Sequence, residues 1–116
     1  TDLDKLKILS GILNSSLPIR YIKEKYSSSS YNGGVNFTKD MLNDFPFPSD
    51  GSEYKKKILN YVNEILKINN LESSLELLKN VDICTFLLYG FTHSQVIEHF
   101  PELKNYTEED FKSQMI

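Results

Sequence analysis

Between Ser27 and Pro48 the chain reads SSSSYNGGVNFTKDMLNDFPFP, the one stretch where helical periodicity fails. A serine run, a Gly-Gly pair, an alternating Val35-Asn36-Phe37, one helical turn and two prolines follow each other in that order. Two adjacent glycines suit a tight turn, and apolar–polar–apolar alternation suits a short strand. Thr38 is placed to cap Lys39–Asn43, and Pro46 and Pro48 impose an extended exit. A helical scaffold that presents one polar loop often carries its function there.

On either side the pattern is helical. Leu6, Leu9, Ile12, Leu13, Leu17, Tyr21 and Ile22 follow the i, i+3, i+4, i+7 spacing of an amphipathic helix over Leu3–Tyr26. Pro18 predicts a break or kink near Ser15–Leu17, with Ser15 or Ser16 capping the second piece. After the loop, Tyr54, Ile58, Tyr61, Val62, Ile65 and Ile68 line one face of Glu53–Asn69. Asn69-Asn70 interrupts the pattern. A second stripe then runs over Leu75–Tyr89 through Leu78, Val81, Cys84 and Leu88, widened by Phe86 and Leu87. The short link favours an antiparallel hairpin, and the widened stripe predicts cover on more than one side.

Gly90 is placed as a C-terminal cap residue, and Thr92-His93-Ser94-Gln95 has the form of a capping box opening a short helix. Thr107-Glu108-Glu109-Asp110 can cap a last turn in a tail polar enough to fray. The fold expected is mainly α with a small β element. It comprises an amphipathic N-terminal helix, a polar loop with a short strand, and an antiparallel C-terminal hairpin with short capping helices. At 116 residues the chain is long enough for one core, so 1–116 is a single domain. No apolar run approaches the ~20 residues that span a bilayer, and a single cysteine suits a reducing cytoplasm.

Charge divides the chain. Residues 1–57 hold nine Lys and Arg against seven Asp and Glu, whereas residues 58–116 hold four against nine. Only the first half, with the loop, suits a polyanion. Phosphate contact calls for Lys and Arg, and base reading for Asn, Gln, Arg or aromatic groups. Arg20, Lys23, Lys25, Tyr31, Asn32, Asn36 and Lys39 around the loop are therefore the candidate DNA-contacting residues. An ordinary charged helix surface accounts equally for the lysines, and a turn for Asn32. Lys55-Lys56-Lys57 is a further basic run at a helix start.

Catalytic constellations are missing from the sequence. There is no N-P-P-Y/F-type tetrapeptide and no glycine-rich cofactor loop. Asp44 with Glu53-Tyr54-Lys55 is the nearest nuclease-like string, but Glu53 falls at a helix start rather than on a strand. His93 and His99 stand six apart, off a common helical face and without a third ligand. Cys84 on an apolar stripe reads as a buried small residue.

Three ordered segments resemble the C-terminal part of TaqI-like specificity domains of adenine-specific DNA methyltransferases and fused restriction–modification enzymes. Leu9–Ser15 resembles an L-x-x-L-L-N-S helix. Phe37–Leu42 with Phe45–Pro48 resembles an F-T-K-x-x-L…(L/F)-P-I-P segment. Val81-Asp82 followed by Leu88-Tyr89-Gly90-Phe91-Thr92 and Gln95-Val96 resembles an I-D…L-Y-G-L-T-x-x-E-I pattern. The pattern's acidic stretch is replaced here by His93-Ser94-Gln95.

The resemblance implies double-stranded DNA as partner and a catalytic domain upstream that transfers a methyl group from S-adenosylmethionine. This chain would serve target recognition and carry no cofactor of its own. Specificity subunits of type I restriction systems have a similar layout. A helical protein-interaction module that does not bind nucleic acid is the alternative of another class, favoured by the acidic second half.

Overall fold

The computed structural model describes residues 2–25, 30–31, 34–35 and 52–116. The described residues are mainly helical, in the order α1 (Asp2–Leu13), α2 (Ser16–Lys25), β1 (Ser30–Tyr31), β2 (Gly34–Val35), α3 (Ser52–Lys67), α4 (Leu71–Leu88), α5 (His93–His99) and α6 (Glu108–Gln114), with a 3-10 turn at Pro101–Leu103. None of the described helices is long and apolar enough to cross a membrane. The two strands pair antiparallel, Ser30 opposite Val35 and Tyr31 opposite Gly34. Strand β2 thus starts one residue before the expected Val35, and its partner β1 opens on the last residue of the serine run. The expected Thr38 cap, the helical turn Lys39–Asn43 and the prolines lie outside the described residues.

Helix α4 is the centre of the molecule because apolar residues occupy both of its sides. Val81, Cys84 and Leu88 join Ile12 of α1 and Ile58 of α3 in one cluster. Ile83 and Phe86 join Val96, Phe100 and Phe111 in a second. Phe86 is enclosed by aromatic rings, 5.1 Å from Phe100 edge-on, 5.7 Å from Phe91 and 6.4 Å from Phe111. The cover on more than one side expected from Phe86 and Leu87 is present. Helix α4 starts at Leu71, four residues before the expected Leu75, capped by Asn70, whose side chain accepts the Ser73 N–H at 3.2 Å.

The turn after α4 satisfies its carbonyls as the sequence predicts. Gly90 has φ +83°, Phe91 N–H donates to Phe86 O at 2.9 Å, and Gly90 N–H donates to Leu87 O at 3.0 Å. These are the two bonds of a Schellman motif, and the Phe86–Phe91 contact is its apolar lock. The Thr92–Gln95 capping box opens α5, and a Thr107–Asp110 box opens α6. The tail does not fray: Phe111 is buried in the second cluster. Gln114, also buried, accepts from Tyr61 Oη at 2.7 Å, and its backbone carbonyl accepts from Lys57 Nζ at 2.8 Å.

Two stripes sit differently from their sequence pattern. Leu6 is 62% exposed, and the face that α1 buries carries Ile8 and Gly11 beside the expected Ile12. Gly11 is the reason, since a Cβ there would lie 2.9 Å from Ile58 Cγ2 and 3.2 Å from Val62 Cγ2. Helix α1 turns its smallest residue toward α3 so that the two backbones approach. On α4, Leu78 is 48% exposed, although the stripe reading placed it inside.

Candidate functional site

The interhelical junction around Asp82 joins the α1–α2 link to α4 and to Tyr106. Helix α1 ends at Leu13 and α2 begins at Ser16, and Ser15 Oγ donates back to Ile12 O at 2.5 Å. Neither serine side chain therefore caps α2 as expected. The cap comes from α4, where Asp82 Oδ1 accepts the Ser16 backbone N–H at 2.8 Å. Asp82 Oδ2 accepts Ser16 Oγ–H at 2.6 Å and Tyr106 Oη–H at 2.8 Å. An anionic group at a helix N-terminus meets unsatisfied N–H donors and the positive end of the macrodipole. Asp82 is 6% exposed, and its three donors stand in for the water that it has lost. Burial first, and the neighbouring Asp82 charge second, push the Tyr106 hydroxyl well above the ordinary tyrosine range.

Arg20, one turn beyond Ser16 on α2, reaches the end of α5. Its guanidinium lies 4.4 Å from the Phe100 ring centroid, donates to His99 O at 2.9 Å and pairs with Glu102. Glu24 lies one turn on, with 3.8 Å between charged atoms. The Glu102 carboxyl is held below its usual range by its own backbone N–H and by Arg20. Arg20 thus ties α2 to the end of α5, a positioning role that its sequence context, at the end of a basic helix, does not reveal.

The other candidates are distributed as follows. Lys23 is half-buried one turn after Arg20, and Lys25 is the last residue of α2. Tyr31 lies in β1, opposite Gly34. Asn32, Asn36 and Lys39 lie outside the described residues. In the basic run, Lys57 reaches Gln114 O and Lys56 pairs with Glu53 at 3.6 Å, in the first turn of α3.

His93 Nε2–H donates to Tyr106 O at 2.8 Å, and its ring meets Phe111 edge-on at 5.4 Å. Cys84 is fully buried, and burial pushes its thiol up to about 11. Among the described residues, no group of three or more His, Cys, Asp or Glu side chains is placed to hold a metal ion. The residues missed by site-directed reading were Asp82 as a cap, Tyr106 and Gln114. The available signal was an aspartate inside the apolar run Val81-Asp82-Ile83-Cys84.

Compared with known proteins, the chain matches no family model, no curated protein and no solved structure.

Proposed function

We propose that this chain serves DNA target recognition and structural support within an adenine-specific DNA methyltransferase or restriction–modification protein, without catalysing a reaction itself. The observation that supports this most is the convergence of two of the three segments that carry the family resemblance, the third lying outside the described residues. Ile12 from Leu9–Ser15, Val81, and Leu88 and Tyr89 from the L-Y-G-F-T segment pack in one cluster. Asp82 caps the helix that directly follows Leu9–Ser15. In this proposal the Asp82 junction and the Arg20 clamp hold α2 still, and its last turn, with Lys23 and Lys25, and the stretch beyond it, with Tyr31, Asn32, Asn36 and Lys39, approach DNA. The methyl donor, S-adenosylmethionine, belongs to a catalytic domain elsewhere in the parent polypeptide.

The test uses the parent polypeptide with Lys23→Ala and Lys39→Ala combined, leaving Arg20 in place because it clamps the fold. Binding to target DNA is measured across a salt series, together with methyl transfer at limiting DNA. Loss of two phosphate contacts lowers the salt slope by about two and weakens binding by roughly tenfold at moderate salt. An unchanged slope with unchanged methylation would remove these lysines from the DNA interface.

A further inference from the structure

The wall formed by α1, α3 and α4 carries a groove of about 870 Å³, which the DNA reading leaves unused. We infer that this groove docks a basic amphipathic helix of a protein partner. Leu66, Leu75 and Leu78 line it and are 67%, 56% and 48% exposed. A small-molecule pocket buries its apolar walls, whereas three neighbouring leucines turned outward form the kind of patch that meets another polypeptide. Leu71, Leu75 and Leu78 are spaced i, i+4, i+7 on α4, and an apolar helix laid along them repeats that spacing.

Charge fixes the chemistry of the occupant. Glu72 and Glu76 line the same groove one turn apart, running beside the leucines, and Asp82 lies at its inner side. Among the described residues neither glutamate forms an ion pair, and Asp82 is held by hydroxyl and amide donors without a cation. Among the described residues that line the groove, the one cation, Lys79, is already bound to Asp110 Oδ2 at 2.8 Å. The groove is therefore apolar along its length and anionic along its edge, complementary to leucines flanked by lysine or arginine. A second copy of this chain fits poorly. Residues 58–116 hold nine acidic against four basic residues, so a twin face would set like charges together.

The probe is a labelled synthetic peptide with leucines at helical spacing and lysines on both flanks, titrated into the 116-residue chain and followed by fluorescence anisotropy. A second peptide carries glutamates in place of the lysines. The lysine peptide is expected to bind at least about tenfold tighter than the glutamate peptide, a preference that shrinks with salt.

Leu75→Ser with Leu78→Ser is expected to weaken it by about tenfold or more. The helical fold should survive with a modest fall in melting temperature, because both side chains are about half exposed and lie outside the two core clusters. Glu72→Lys with Glu76→Lys is expected to reverse the preference between the two peptides. Failure of the lysine peptide to bind, equal binding to the leucine variant, or a preference untouched by charge reversal would each overturn the inference. So would a dimer in sedimentation that the leucine substitutions dissolve, since a second copy would then occupy the groove.

Discussion

Replacing Asp82 by alanine strips the N-terminus of α2 of its cap and leaves three donors, Ser16 N–H, Ser16 Oγ–H and Tyr106 Oη–H, facing a space from which water is largely excluded. Loss of an N-cap costs about 1 kcal/mol, and loss of a hydrogen bond to a charged group about 1.5–3 kcal/mol. Set against these is the relief of no longer burying a carboxylate. The balance for Asp82→Ala is a loss of about 3 kcal/mol, a large share of the ~5–15 kcal/mol that holds a domain together.

Asp82→Asn keeps the shape and one acceptor for Ser16 N–H, so it should lose about half as much. Urea melts of the two variants and of Tyr106→Phe measure these losses. The Asp82→Ala/Tyr106→Phe double mutant should show a coupling of about 1 kcal/mol. An alanine variant within about 0.5 kcal/mol of the parent, the level of an ordinary surface change, would refute the capping account. Independent, additive losses would show that the Tyr106 bond contributes nothing.

Gly11→Ala gains about 1 kcal/mol of helix propensity but drives a methyl into Ile58 and Val62, so a net loss of about 1–2 kcal/mol is expected in the same melts. A gain would show that α1 can back away from α3. The Asp110 carboxyl is held below its ordinary range by the Lys79 ammonium and then by the Thr107 N–H. Such a group adds stability that is present above about pH 4 and lost as pH falls through the lower folded value. Asp110→Asn should therefore be less stable at neutral pH and show a flatter acid limb; parallel curves would discount the pair. Cys84, fully buried and with its thiol raised to about 11, should resist a water-soluble disulfide reagent in the folded chain and react on unfolding. Rapid labelling of native protein would contradict its placement.

Local signals carried much of this fold. Gly90, the Thr92–Gln95 box and the Thr107–Asp110 box each satisfy backbone groups within a few residues, so their chemistry can be read from neighbours alone. The α3 and α4 stripes located the hairpin because Ile58, Val81 and Cys84 recur at helical spacing. Reading failed where a residue's role depends on a distant partner. Asp82 caps a helix 66 positions away, and Arg20 reaches Glu102 across 82. Neither separation leaves a periodic trace. Helix α1 misled for another reason, since a hydrophobic stripe counts Leu6 and ignores Gly11, yet close approach rewards the absence of a side chain. Of the candidate DNA-contacting residues, Arg20 spends its side chain on partners within the chain itself.

Helix α4 wears one cluster on each flank. Neither half of the molecule can then melt by itself, because releasing either cluster strips one side of the rod that the other leans on. Backbone amides along residues 81–86 should exchange with deuterium only through whole-molecule opening, with one shared opening free energy equal to the global stability. The free ends of α1 and the first turns of α4 should exchange earlier, through local fraying. A ligand that grips any one helix of this set would be felt as protection along the whole central rod.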